Sequence, residues 1–145
     1  RRVMRLHEVR HIDRPVDEVF AFTADFANAE KWDPGVASSR RIDEGPPGAG
    51  ARYELTVAFG SSEIPMVYEI TEWDQDARVV LVGKGDTVEA VDEIRFQPGN
   101  GGTLVDYTAE LTFTNWFRFV VPMMSPALRR VGEKALDGLV TTLER

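Results

Sequence analysis

Apolar and polar positions change their period twice along this chain, and the changes divide it into helical and extended stretches. The first segment, residues 3–12, places Val3, Leu6, Val9 and Ile12 three apart, a spacing that does not exclude a helix. Asp13-Arg14-Pro15 then predicts a helix start, with Asp13 as cap, Pro15 at its preset φ, and Asp17 and Glu18 at the positive end. Val16, Val19, Phe20 and Thr23 share one face of that helix, which yields near Asp25. A second short helix carrying Phe26 and Trp32 follows, stopped by Asp33-Pro34-Gly35.

From Val36 to Phe113 the texture is that of strands, predicted near 36–42, 51–59, 64–73, 78–84, 88–97 and 103–113. The turns between most of them are short, among them Gly60-Ser61-Ser62 and the Pro98–Gly102 run, so neighbours pair antiparallel in one sheet. Alternation puts Tyr53, Leu55, Val57 and Phe59 on one face with Met66, Tyr68 and Ile70, and likewise Val105, Tyr107, Ala109, Leu111 and Phe113. Glu54, Thr56, Asp106, Thr108 and Glu110 fall on the opposite, wet face. A sheet with one apolar face needs a cover. Ser125-Pro126 predicts the start of a helix over 126–145, about 30 Å long, with Leu128, Val131, Ala135, Leu139 and Thr142 at helical spacing. Arg129, Arg130, Glu133, Lys134 and Asp137 fall on its other side.

Composition narrows the function classes. The 145 residues suit a single domain, 1–145, and the absence of cysteine excludes disulfides and thiolate metal sites. Twenty-four acidic against 17 basic residues, a formal charge of −7, argue against nucleic acid and anionic membrane surfaces, both of which need clustered Lys and Arg. No apolar run is long enough for stable membrane insertion, and Arg1-Arg2 is not followed by the apolar stretch of a signal peptide. A soluble, cytoplasmic protein is expected.

The residues resemble the START-like or Bet v 1-like SRPBCC superfamily, and within it the polyketide cyclase/dehydrase type. The resemblance covers nearly the whole chain and is strongest in Ile12–Phe20, then Asp25-Phe26, Asn28 and Trp32–Val36. Tyr68-Glu69-Ile70 with Trp73-Asp74, and Phe96-Gln97-Pro98 with Gly102–Tyr107, look like its later strands, and Leu128–Leu139 like its closing helix. The resemblance implies an α+β helix-grip fold, β-α-α-β-β-β-β-β-β-α, in which a curved antiparallel sheet of about seven strands wraps a long C-terminal helix around an internal cavity. It makes residues 3–12 the first strand. It implies no reaction, because the superfamily spans carriers, receptors and aromatase/cyclases, and fold does not give function.

His7-Glu8-Val9-Arg10-His11 matches H-E-x-x-H, a zinc signature that works only where i and i+4 meet on a helix. In a strand the two histidines stand about 13 Å apart, so no metal is expected. The glycine-rich stretches 45–50 and 99–102 lack the Lys-Ser/Thr of a phosphate cradle, and the serines lack G-x-S-x-G. No cofactor is implied.

Asp92 is more informative, since Val88, Ala90, Asp92, Ile94 and Phe96 form an inward face. It either lines a cavity, where desolvation raises its pKa and it orients a ligand or transfers a proton, or pairs with an arginine such as Arg52, or meets solvent at the rim. Asp92 and Tyr107 are the catalytic candidates. Tyr53, Met66, Tyr68, Asp92, Tyr107, Phe117, Met124 and Leu128 are the candidate ligand contacts, with Trp116, Phe119 and Met123 near the mouth or in a dimer patch. Gly132 and Gly138, inside the last helix, leave room either for a ligand or for close packing. The expected function is binding of a small hydrophobic or lipid-like molecule as carrier or sensor. A polyketide cyclase/dehydratase-like enzyme and a toxin-like or regulatory protein-interaction module are the alternatives, and a homodimer is open.

Overall fold

The computed structural model describes residues 2–115 and 117–145. Strand β1 (Arg2–Ile12) is followed by helix α1 (Val16–Ala24), a single 3-10 turn (Phe26–Asn28) and the short helix α2 (Ala29–Trp32). Six further strands follow: β2 (Val36–Arg41), β3 (Arg52–Phe59), β4 (Ser62–Asp74), β5 (Arg78–Lys84), β6 (Val88–Gly99) and β7 (Gly102–Phe113). Helix α3 (Phe117–Leu143) closes the chain. The strands form one antiparallel sheet in the order β1-β7-β6-β5-β4-β3-β2, so the meander is continuous from β2 to β7 and β1 returns to its far edge. This is the expected helix-grip architecture.

The turns are chemically explicit. Asn100 and Gly101 carry φ of 51° and 77° between the paired Gly99 and Gly102, the two-residue hairpin that an Asn-Gly pair favours. Strand parity then resolves the ambiguous first segment. Leu6 and Ile12 turn inward while Val3 and Val9 are exposed, which is the period of two and not of three.

Two helix boundaries correct the sequence reading. Pro15, not Asp13, stands at the start of α1, with no side-chain cap; Val19 N–H donates to Pro15 O, and the Asp13 N–H is bound instead by the Glu144 carboxylate. The final helix begins at Phe117 and runs through Pro122 and Pro126, so Ser125 is not a cap. Its hydroxyl donates to Val121 O one turn back. Each proline removes one helical hydrogen bond, yet Val121 is buried in the core and docks this first part of the helix, so packing carries it through two breakers.

Helix α3 lies against β1, β7 and α2. Leu128, Ala135, Leu136 and Leu139 are buried, and its charged residues face solvent. Its two glycines separate the two roles open to them. A Cβ at Gly138 would stand 2.1 Å from the backbone oxygen of Trp32, so close packing of α3 on α2 requires glycine there. At Gly132 the nearest atom, Leu6 Cδ1, would be 3.7 Å away, an ordinary contact.

Candidate functional site

Beneath α3 the inward face of the sheet does not close, leaving a cavity of about 180 Å³. The strands supply its wall by alternation. On β6, Val88, Ala90 and Asp92 point in, as predicted, and Glu89 and Val91 point out. On β7, Tyr107, Ala109 and Leu111 line it, and on β4, Ile64, Met66 and Tyr68. Helix α3 contributes Leu128, Val131, Gly132, Ala135 and Leu136 as its roof. The small side chains at Ala90, Ala109, Gly132 and Ala135 are the local reason for the space, since longer ones would meet across it.

One end of this apolar chamber is polar. Asp92 is only 6% exposed and pairs in register with Ala109, so Tyr107 is its diagonal neighbour on the same face. The Tyr107 hydroxyl donates to Asp92 Oδ2 at 2.5 Å, while Asp92 Oδ1 is buried with no hydrogen-bond partner. Tyr68 is held close by another device: it pairs with Gly83 on β5, and a Cβ there would stand 2.5 Å from the Tyr68 ring. The glycine lets the ring lie flat across the neighbouring strand.

Helix α2 and the turn after it complete this end. The chain leaves the helix at Asp33, whose extended conformation suits a residue before proline. Asp33 Oδ1 accepts the Gly35 N–H at 2.8 Å, folding the turn back so that Trp32, Asp33 and Gly35 all line the cavity. The Trp32 ring packs edge-on near Tyr107, with centroids 6.4 Å apart. Trp32 is 4% exposed, and its Nε1–H also lacks a partner.

The electrostatics follow from burial without compensation. Desolvation pushes the Asp92 carboxyl up to about 7, against the lowering effect of the Tyr107 bond and with a further push from Asp33. Asp33 is raised to about 6 by desolvation, opposed by the Gly35 N–H. Burial likewise lifts the Tyr68 and Tyr107 phenols well above their ordinary value. Among the described residues the ionisable side chains lining the cavity are all acids: Glu8, Asp33, Asp92 and the two tyrosines. Glu8 is neutralised by Arg10 at 2.8 Å, which also reaches Asp137 on α3 at 3.0 Å. Among the described residues Asp33 and Asp92 have no such cation.

Of the sequence candidates, Met66, Tyr68, Asp92, Tyr107 and Leu128 come together around the cavity. Met124 lines a smaller adjoining pocket of about 30 Å³ with Phe59, Thr87 and Phe113. Tyr53 is fully buried behind Phe26, the two ring centroids 6.4 Å apart, and lies off the cavity wall. Trp116 and the side chain of Phe117 lie outside the described residues. Phe119 and Met123 are exposed, 69% and 84%. Asp92 does not pair with Arg52, whose guanidinium reaches Glu69 instead at 3.8 Å. Sequence reasoning missed Trp32 and Asp33 as wall residues because their turn chemistry accounted for them fully. His7 and His11 sit on β1, the first bound to Asp106 at 2.7 Å and the second to Gly99 O at 3.0 Å, so H-E-x-x-H here belongs to a strand.

The fold is shared with solved structures of low sequence identity. The aromatase/cyclase Zhui from a Streptomyces species superposes with a TM-score of 0.80 at 14% identity, covering 99% of this chain and 95% of that one. TTHA0849 from Thermus thermophilus gives 0.78 at 19%, covering 97% and 94%, and a START superfamily protein from Mycobacterium smegmatis 0.70 at 14%, covering 97% and 94%. Among curated proteins none matches the chain. A family model described as polyketide cyclase/dehydrase and lipid transport matches residues 4–144. With the sheet, the gripping helix and almost every residue accounted for by that match, the chain belongs to the polyketide cyclase/dehydrase and lipid transport family.

Proposed function

We propose that this protein binds one small, predominantly apolar molecule in the chamber between sheet and α3, as a non-enzymatic carrier or sensor acting as a single domain. The observation that carries this reading is the cavity itself. About 180 Å³ of space is kept open by small residues on two strands and on the facing helix, in a core that elsewhere packs aromatic against aromatic. Packed interiors rarely hold empty space of this size, since a void forfeits the contacts its lining would otherwise make. Membership of a family whose description includes lipid transport supports the reading further.

The test is native mass spectrometry of gently purified protein, followed by denaturing extraction and a thermal-shift panel of lipids, quinones, sterols and small aromatics. A stoichiometric apolar adduct, or a ligand that raises Tm with the logarithm of its free concentration, is expected. At about 100 Kd of free ligand the stabilisation is about 2.7 kcal/mol. A clean apo mass together with a flat thermal panel overturns the reading.

A catalytic reading has one specific observation in its favour, the Asp92–Tyr107 pair inside the chamber with Asp92 at about 7, where a carboxyl serves as either acid or base near neutrality. Its fold is also that of the aromatase/cyclase Zhui. Both histidines lie at β1 with partners of their own, so the proton transfer would fall to Asp92. Turnover of a poly-β-ketone analogue, abolished in Asp92→Asn and reduced in Tyr107→Phe, is the result that would promote this reading over the first.

A further inference from the structure

The polar end of the cavity is unfinished in a specific way. Among the described residues, Asp92 Oδ1 is a buried acceptor without a donor, and Trp32 Nε1–H is a buried donor without an acceptor. Both residues line the same chamber, linked through Tyr107, which bonds to one and packs on the other. Leaving such groups unpaired forfeits the hydration they had in the unfolded chain with nothing in return, and most buried polar groups in folded proteins are satisfied.

We propose that this end of the cavity recognises a hydroxyl group on an otherwise apolar ligand, the hydroxyl donating to Asp92 Oδ1 and accepting from the Trp32 indole, and that the acid-only lining excludes ligands ending in a carboxylate. The inference rests on the cavity-binding reading above and deepens it. A hydroxyl is the smallest group that carries both roles. An ether or ester offers no donor, and an ammonium offers no acceptor. A carboxylate would enter beside Asp33 and Asp92, where no described residue of the wall carries a cation to receive it. Burial already makes charging Asp92 costly, so an acidic ligand would have to bring its own proton.

Three probes on one naphthalene frame separate these chemistries: 2-naphthol, 2-methoxynaphthalene and 2-naphthoic acid, titrated calorimetrically at about pH 8, above the Asp92 value of about 7, so that Oδ1 only accepts. The naphthol is expected to bind at least about tenfold more tightly than the methyl ether, because the ether leaves the Asp92 oxygen unpaired. The naphthoate is expected to bind weakest. In the double variant Asp92→Leu, Tyr107→Phe, which removes both partners of the buried bond together and so orphans neither, the naphthol preference over the ether should fall to within about twofold, a loss of the hydrogen-bond discrimination alone. The naphthoate should gain affinity there. Trp32→Phe removes a donor that the hydroxyl and ether oxygens can both use, so it should weaken naphthol and ether by a similar factor and leave the preference between them in place.

Equal binding of naphthol and ether to the wild type overturns the hydroxyl inference while leaving the cavity reading intact. A preference that persists in the folded double variant overturns it too. Failure of all three probes, in protein whose cooperative thermal unfolding shows it folded, counts against the cavity reading for ligands of this size and removes the inference with it.

Discussion

Strand β6 passes under two helices and is packed differently beneath each. Toward its C-terminal end, Phe96 meets Phe20 of α1, ring centroids 5.0 Å apart, and Phe20 also packs edge-on against Trp73 at 4.8 Å. This end is solid. Four to eight residues earlier the same face presents Asp92, Ala90 and Val88 beneath α3, whose facing side includes Gly132 and Ala135, and the interior stays open. One continuous face thus yields a packed core at one end and a chamber at the other. The difference lies in side-chain size on the opposing elements, since the backbone ladder runs unbroken through both.

The comparison breaks most sharply at the solid end. Phe20→Ala should destabilise the fold by about 3–5 kcal/mol, measured by urea denaturation, because the ring is fully buried between two aromatic partners. Truncation at the open end, where a void already exists, should cost much less.

Next comes pH, which reads the open end alone. Asp92 and Asp33 have folded pKa values raised to about 7 and about 6, above the unfolded value, so the folded state holds the protons more tightly. Their protonation therefore favours folding at low pH, and stability falls as pH rises through the two folded values. Asp43 and Glu93, held below their ordinary range by Arg41 and Arg78, lose their contribution only in more acidic solution. Tm should accordingly decline between about pH 5 and pH 8. Asp92 contributes on the order of 2 kcal/mol of that slope, and Asp92→Leu with Tyr107→Phe should flatten it. A wild-type profile that rises over the same window contradicts the assignment.

Smaller effects separate the two glycines of α3. Gly138→Ala should destabilise by about 1–3 kcal/mol despite alanine's better helix propensity, since the added methyl meets the Trp32 carbonyl. Gly132→Ala has room, and should stabilise by about 0.5–1 kcal/mol in the same denaturation assay. Matching signs would mean that α3 does not press on α2 as described. The smallest change is expected at His7→Ala, which removes a surface pair with Asp106 worth about 0.5 kcal/mol or less. Added zinc should leave the Tm of the wild-type protein unchanged, since His7 and His11 sit on a strand.

The inward faces of β4, β6 and β7 follow directly from residue order, because a strand's period of two assigns every side chain once one is placed. Asp92 could be picked out for this reason: a carboxylate in register with Val88, Ala90, Ile94 and Phe96 breaks the pattern of its own strand. The hairpin at Asn100-Gly101 was equally legible, since few pairs adopt two positive φ values so readily. The start of α3 was not legible. Pro122 and Pro126 are local stop signals, and only burial of Val121 against the rest of the molecule overrides them.

The chain's order of residues therefore determined the helix-grip fold, the apolar inward face and the presence of one acid on it. Only the tertiary structure decided that the acid meets Tyr107, that Trp32 and Asp33 join it from a turn some 60 residues away in sequence, and that no cation among the described residues answers it. Periodicity is a property of one segment and can be read within it. A cavity is a property of the distance between segments, and that distance is set by which side chains oppose each other across the core.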